Sequence, residues 1–359
     1  MKIALIGAGK IGEAIINLLG HTGDYDMVVV DKQLDRLNER LKGASPSGVT
    51  LKEADVSNEA ALKAAIGKAD VILSASPFYL TPVLAKAAHD IGAHYFDLTE
   101  DVESTKAVKR IAQGAKTVFI PQCGLAPGFI SIAAHEVAKQ FEQVRDMIMR
   151  VGALPIYPTN ALKYNLTWST DGLINEYLNP CDALINGALQ QTPPMEDLEH
   201  FSLDGLEYEA FNTSGGLGTL CETMLGKVQN LNYKTVRYPG HCGIMKILLQ
   251  DLRLSERREL LKDVLETAIP ITYQDVVLVF VSVSGWRDGS LAQQSYAKKI
   301  YAKEVNGKLL SAIQLTTAAG ICTMIDLLRE GKLKGAGFLK QESVSLPDFL
   351  ANRFGKFYA

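Results

Sequence analysis

An α/β fold in two parts is what this sequence predicts: a doubly wound parallel sheet, then an α+β domain built on a mixed, largely antiparallel sheet. Three observations carry that expectation. The apolar strand Ile3 to Ile6 runs straight into Gly7, Gly9 and Gly12 and then into an amphipathic helix with Ile11, Ile15, Leu18 and Leu19 on its apolar side. Strand-like and helix-like stretches alternate with short turns as far as Pro121, the pattern of parallel strands joined by crossover helices. Beyond Pro127-Gly128 the apolar period falls to two residues, ending in a valine-rich strand and its return.

The glycines have distinct physical uses. Gly7 lets the chain turn tightly, Gly9 lets the backbone approach a pyrophosphate, and Gly12 lets the helix pack closely on the strand. A pyrophosphate would sit on N–H groups at the start of that helix, beside Lys10 and Ile11. The second strand, Met27 to Val30, ends in Asp31, about 20 residues past the glycines, where a carboxylate accepts hydrogen bonds from ribose hydroxyls. The same carboxylate repels a 2′-phosphate, so NAD is favoured over NADP. Lys32 and Arg36 weaken that preference, since either could reach a phosphate.

The remaining elements follow in order. Gln33 to Leu41 reads as a polar helix and Val49 to Lys52 as the third strand, with Asp55 and Val56 just beyond it to contact an adenine. Asn58 to Gly67 is a helix with Ser57 or Asn58 as its N-cap. Val71 to Ser74, His94 to Leu98 and Thr117 to Ile120 are strands four to six. Thr81 to Ile91, with Pro82 in its first turn, and Val102 to Gln113 are the helices between them. Six strands complete a Rossmann domain over 1–122. In the second domain, 123–313, helices are expected at Phe129 to Phe141, Asp171 to Tyr177, Thr219 to Lys227, Cys242 to Leu252 and Ser255 to Thr267. Strands are expected at Val144 to Val151, Lys163 to Thr167, Glu207 to Phe211, Lys234 to Tyr238 and Asp275 to Ser284. The last returns through Gln294 to Val305. A helix over 314–330 returns to the first domain, and 331–359 is a tail.

Composition excludes more than it identifies. A net charge of −3 gives no basic footprint for nucleic acid. No apolar run reaches the length of a membrane span, and the opening residues read as a strand and not a signal peptide. The five cysteines are scattered, with no CxxC and no HExxH, so no disulfide framework and no metal site is expected. A cytoplasmic enzyme fits this pattern.

In an open parallel sheet, ligands bind beyond the carboxyl ends of the strands. The run after strand four, Ser74, Ala75, Ser76, Pro77 and Tyr79, would line a nicotinamide. So would Leu98 and Thr99 after strand five. The acids of that second run, Asp97, Glu100 and Asp101, could take a proton, as could His241. Asp97 leads because it ends a strand, though it could equally order its loop. For a substrate, Arg237 offers a fork for a carboxylate, while Trp168 and Tyr177 could wall an aliphatic chain and Tyr79 and Cys123 are further substrate-binding candidates. Cys123 has no histidine near it in sequence and reads as a small loop residue more than a nucleophile.

Several runs, taken together, resemble the saccharopine dehydrogenase family: GAGKIG with Asp31, Phe-Tyr-Leu-Thr-Pro at 78–82, Tyr-Phe-Asp-Leu at 95–98 and Cys-Gly-Leu-Ala-Pro-Gly at 123–128. Leu-Thr-Trp-Ser at 166–169, Glu-Tyr at 176–177 and Val-Arg-Tyr-Pro-Gly-His at 236–241 belong to the same likeness, which is closest to the lysine 6-dehydrogenase branch. The resemblance implies an NAD(P)-dependent oxidoreductase acting on the CH–NH or CH–NH2 group of an amino acid. It also implies a homodimer made through the second domain. Ala126 stands where saccharopine-forming relatives carry an acid, which favours a simpler diamino acid such as lysine. Gln341-Glu342 replaces a Pro-Glu of relatives. Reductive coupling of amine and aldehyde, as in saccharopine or carboxynorspermidine formation, is the neighbouring reading. A non-catalytic NAD-binding sensor or scaffold is the alternative of another class.

Overall fold

The computed structural model describes residues 1–33 and 46–359, so Arg36 and all but the first residue of the expected helix Gln33 to Leu41 lie outside the described residues. The chain divides into two compact units. The first holds Met1–Phe129, Glu304–Leu310 and Gln314–Ala359; the second holds Ile130–Lys303 and Ser311–Ile313.

The first unit is a parallel sheet. Strands β1 (Lys2–Ile6), β2 (Asp26–Asp31), β3 (Val49–Glu53), β4 (Val71–Ser74), β5 (His94–Asp97) and β6 (Val118–Ile120) stand in the order β6-β5-β4-β1-β2-β3. All pair in parallel, and the order reverses between β1 and β4. Their near-continuous apolar runs suit strands covered on both faces. Ile6, Ile72, Tyr95 and Phe119 meet Leu62, Leu84 and Val108 from the helices in one buried cluster. Those helices are α1 (Lys10–Gly20), α2 (Glu59–Ile66), α3 (Thr81–Ile91) and α4 (Val102–Ile111). Local chemistry sets their ends: Asn58 caps α2 by accepting from the Ala61 amide, α3 opens with Pro82 and stops at left-handed Gly92, and Asp101 caps α4. A seventh strand, Gly337–Phe338, adds to β6; two residues long, it carries no periodicity for a sequence reading to catch.

Residues 331–359, expected as a tail, pack into this unit. The Asp326 carboxylate, fully buried on the long helix Ala312–Arg329, accepts from five donors. They are Tyr25 Oη (2.6 Å), Arg329 Nε (2.9 Å), Asn352 Nδ2 (2.9 Å) and Arg353 Nε and Nη2 (3.0 and 2.7 Å). The Phe129 ring stacks on Tyr358, whose hydroxyl donates to the Thr316 carbonyl at 2.6 Å.

The second unit opens on helix α5 (Phe129–Ala138) and is built on a mixed sheet. Its members are β7 (Gln143–Pro155), β8 (Cys181–Ile185), β9 (Ala188–Thr192), β10 (Glu199–Leu203), β11 (Leu206–Asn212), β12 (Asn230–Arg237), β13 (Asp275–Arg287) and β14 (Ser290–Tyr301). The main path runs β10-β11-β12-β7-β13-β14, with β8 and β9 attached to β12; only β12 and β7 pair in parallel. Asp288 and Gly289, both with positive φ, make the two-residue turn between β13 and β14, whose twist matches the strands it joins. Helix α6 (Thr170–Leu178) packs with the helices His241–Lys246 and Arg258–Ala268. Between them they enclose Leu173, Tyr177, Phe211, Met245 and Leu265.

Two expectations are corrected here, and three strands are added. Lys163 to Thr167 is not a strand: Lys163 has a φ of +51°, residues 164–167 are all buried instead of alternating, and a single bridge from Leu166 to Ile271 is its only ladder contact. Cys242 to Leu252 is not one α-helix, because an α-turn ending at Lys246 gives way to a π-helical turn over Ile247–Asp251. The strands β8 to β10 were not foreseen at all. Among the described residues no helix is long and apolar enough to cross a membrane.

The Asp326 cluster gives a pH prediction. Its donors hold the Asp326 carboxyl down at about 2, below the ordinary 3.8, against the upward push of burial. The stabilisation is therefore complete above the ordinary carboxylate range and is lost as pH falls through about 2. Asp326→Asn should cost about 1–3 kcal/mol at neutral pH, since it takes the charge from the hydrogen bonds that Arg329 and Arg353, each about one third exposed, donate to it. It should also flatten the steepest part of the acid-unfolding curve, as read by circular dichroism.

Candidate functional site

In the first unit, the turn from β1 to α1 leaves no room for side-chain carbon. A Cβ at Gly7, whose φ is +97°, would lie 2.6 Å from the Ala75 carbonyl oxygen, and one at Gly12 would lie 2.1 Å from the Gly7 oxygen. A Cβ at Gly9 would meet nothing within 4 Å, so this side of the loop is open. Gly9 is also the N-cap of α1, and no side chain caps the helix there, with Lys10 exposed and Ile11 half-buried beside it. Asp31 at the end of β2 receives the Ala8 amide on Oδ2 at 2.7 Å and the Gln33 amide on Oδ1 at 3.0 Å. A carboxylate has about four acceptor positions, so capacity for ribose hydroxyls remains. A glycine cradle, an open face, an uncapped helix start and an adjacent acid fit a dinucleotide.

Around this cradle the other expected cofactor residues take their places. Asp55 is exposed and holds the Ser57 amide and hydroxyl at 2.9 and 2.6 Å, with Val56 buried beside it and Lys32 exposed. Ser74 is buried and shares a 2.8 Å hydrogen bond with Ser76, while the Ala75 amide continues the sheet by donating to Ile6. Pro77 precedes a single 3-10 turn, Phe78–Leu80, on which Tyr79 is 64% exposed. Leu98 is half-buried, and Thr99 accepts the Asp101 amide on its hydroxyl.

The acids after β5 separate by environment. Asp97 is 1% exposed, and its Oδ1 receives the amides of Thr99 (3.0 Å) and Gln122 (2.8 Å), fastening the end of β5 to the chain after β6. Its Oδ2 has no hydrogen-bond partner. Burial pushes the Asp97 carboxyl up to about 6 in spite of the two amides. Glu100 keeps part of its surface. Desolvation, with the negative charges of Asp101 and Asp97 adding to it, lifts Glu100 to about 6 as well. Cys123 is enclosed, its Sγ donating to the Ile120 carbonyl at 3.2 Å, and burial drives the thiol well above its usual range. It is not an activated nucleophile.

In the second unit, Arg237 at the end of β12 is 2% exposed. Its Nε donates to Tyr177 Oη (2.9 Å) and its Nη1 to the Val236 carbonyl (2.8 Å), and Tyr164 lies 4.9 Å from its Cζ. His241, 1% exposed, touches Tyr177 Oη through Nε2 (3.0 Å) and the Leu162 carbonyl through Nδ1 (2.9 Å). Burial and the Arg237 charge press the imidazole down to about 3. With both ring nitrogens engaged and so low a basicity, His241 has no lone pair poised for a substrate proton. Trp168 is half-buried, its ring packed where a Cβ on Gly172 would otherwise sit. Tyr164, which sequence reasoning passed over, is buried with its hydroxyl unpartnered; its place just before the Leu-Thr-Trp-Ser run was the available signal. Among the described residues no group of three or more His, Cys, Asp or Glu side chains is arranged to hold a metal.

The comparisons with known proteins agree over both units. Residues 3–120 match the family model described as saccharopine dehydrogenase NADP binding domain, and residues 124–356 match the one described as saccharopine dehydrogenase C-terminal domain. The mitochondrial alpha-aminoadipic semialdehyde synthase of Mus musculus is 21% identical over 303 residues, 79% of this chain and 31% of that protein. A saccharopine dehydrogenase (NADP(+), L-glutamate-forming) of Schizosaccharomyces pombe is 22% identical over 257 residues, 67% of this chain and 56% of that one. The chain thus spans about a third of the first relative and just over half of the second. The structure of apo saccharopine dehydrogenase (L-Glu forming) from Saccharomyces cerevisiae has the same fold. Its TM-score is 0.78 at 18% identity, covering 99% of this chain and 96% of that one. The model's description and the fission-yeast name both print NADP, the reverse of the preference expected from Asp31.

The glycine geometry predicts two different failures. Gly12→Ala should cost about 1–3 kcal/mol of stability through overpacking, and dinucleotide binding with it. Gly9→Ala should melt within a degree or two of the parent yet bind dinucleotide at least tenfold more weakly, as titration calorimetry would read.

Proposed function

The chain belongs to the saccharopine dehydrogenase family, and from that premise we propose that it is an NAD(P)-dependent oxidoreductase acting on the CH–NH or CH–NH2 group of an amino acid. The observation that carries the reading is Glu100. It is a half-buried residue whose carboxyl desolvation pushes up to about 6, at the carboxyl edge of the parallel sheet, the edge onto which the glycine cradle also opens. A general base works best with a pKa near the working pH.

Oxidation of a C–N bond needs a neutral amine, because an ammonium has no lone pair to assist hydride loss. Glu100 takes the proton from the substrate nitrogen. The nicotinamide, when bound, supplies the hydride acceptor for the carbon that bears that nitrogen. The nitrogen lone pair then closes the C=N bond, so that one proton and one hydride leave the substrate ammonium and a protonated imine (iminium) remains. Asp97 keeps the Glu100 loop in place through the Thr99 amide. In the second unit Arg237 is the group suited to hold a carboxylate, and Trp168 and Tyr177 are the aromatic groups suited to an aliphatic chain. Lysine and saccharopine are the two amino acids the reading favours. A homodimer formed through the second unit and a cytoplasmic location complete the reading.

Between the two dinucleotides, local charge and the family description pull in opposite directions, and Asp31 decides the choice. A 2′-phosphate would meet its carboxylate at close range, with exposed Lys32 as the adjacent cation.

In the oxidative direction kcat/KM should rise to a plateau as pH passes about 6, because Glu100 must be ionised to accept a proton. In the reductive direction the same group must be protonated, so the rate should fall above about 6. Glu100→Gln should lower kcat by about 10²–10⁴ and remove that limb; persistence of the limb in Glu100→Gln and its loss in Asp97→Asn would move the role to Asp97. Asp31→Ala should raise the ratio of kcat/KM for NADP to that for NAD at least tenfold, measured by reduced-nicotinamide absorbance.

A further inference from the structure

We propose that His241 is a positioning residue: as the neutral tautomer protonated on Nδ1, it orients the Tyr177 hydroxyl and, through it, presents the Nη2 edge of Arg237 to a substrate carboxylate. The inference rests on the reading of Arg237 given above and extends it to a group that touches no substrate.

The geometry leaves one assignment of protons. A carbonyl oxygen only accepts, so the 2.9 Å contact to Leu162 requires the hydrogen to be on His241 Nδ1. A neutral ring then has a bare lone pair on Nε2, and at 3.0 Å the Tyr177 hydroxyl must donate to it. With its hydrogen committed, Tyr177 offers only lone pairs to Arg237 Nε at 2.9 Å. The chain therefore runs in one direction, from the Arg237 N–H to the Tyr177 oxygen, from the Tyr177 O–H to the His241 nitrogen, and from the His241 N–H to the main chain.

The surroundings hold the ring in that state. A second positive charge beside the enclosed Arg237 guanidinium is costly, and burial adds to the cost. Tyr164 and Phe211 face the imidazole edge-on and face-on, at 5.4 and 6.4 Å between ring centres. Glu176, buried next to Tyr177 in sequence, is close enough to favour the charged form of Arg237 and supplies the negative charge on this side. Tyr177 on Nε and the Val236 carbonyl on Nη1 fix two sides of the planar fork. Nη2 is the nitrogen that neither of these two bonds engages. Were His241 protonated on Nε2 instead, both it and Arg237 Nε would donate to the Tyr177 oxygen, and the Leu162 carbonyl would face a bare Nδ1 lone pair.

Two measurements on the full chain test this. In the first, His241→Leu removes the acceptor and His241→Gln restores one at the Nε2 position. The expected result is a KM for the amino acid raised at least tenfold by His241→Leu and largely recovered by His241→Gln. The KM for dinucleotide and kcat should stay within about twofold. An unchanged amino-acid KM in His241→Leu overturns the proposal, as does a loss of kcat and both KM values together with a lowered melting temperature in both variants. The second is nitrogen-15 NMR of the imidazole in the unsubstituted protein, where a neutral ring protonated on Nδ1 is expected from about pH 5 to 8. A charged ring, or one protonated on Nε2, overturns it. This second readout needs no turnover, so a chain that oxidises no amino acid would refute the proposed reaction while leaving the proton assignment to stand or fall by itself.

Discussion

Close approach of one main-chain segment to another governs the first unit. The Gly7 turn lies so near the Ala75 carbonyl, and Gly12 so near Gly7, that neither position has space for a single methyl group. That packing lets α1 begin directly beneath the end of β1, where its uncapped first turn and the Asp31 carboxylate flank one open face. The sheet order supplies the rest. Connections leave β1 and β4 toward opposite sides, so the loops at their carboxyl ends part and leave a crevice.

The acids of this unit show how environment, and not residue type, sets proton affinity. Asp326 is fully enclosed, yet five donors keep it ionised to about pH 2. Asp97 is as deeply buried with only two amides to satisfy it, and it is pushed up to about 6. Glu100 reaches the same value by desolvation beside two other acids. The first carboxylate is a structural tie, the second a brace for the loop, and the third, with surface left to it, is the one suited to exchange a proton with a ligand.

In the second unit a buried cation sets the terms. Arg237 cannot lose its proton, so every group around it has adjusted. Tyr177 and the Val236 carbonyl take its hydrogens, Tyr164 covers its face, and His241 is forced to remain neutral. A guanidinium fixed in this manner has already lost its rotational freedom before any carboxylate arrives, which is the condition for tight and oriented recognition.

The sequence by itself determined whatever depends on local periodicity and on residues with unusual backbone freedom. The six parallel strands, the glycine cradle, the acid ending β2, Pro82 opening α3 and the pairing of β13 with a returning strand were all legible, because apolar runs and glycine spacing are written in consecutive residues; that β13 runs on to Arg287 and its partner stops at Tyr301 was not. Tertiary structure alone decided what consecutive residues cannot encode. The stretch 163–167 has strand-like composition, but its residues 164–167 are buried, with Tyr164 against Arg237 and Leu166 in the cluster the helices enclose. The two-residue strand at 337–338 exists only because β6 offers an unpaired edge, and the last thirty residues are fixed by a carboxylate on another helix. Asp97, Glu100 and His241 were readable as candidate bases, but their different environments came from burial and from partners far away in the chain. Those are properties of the solvent each side chain has lost, and no local pattern records them.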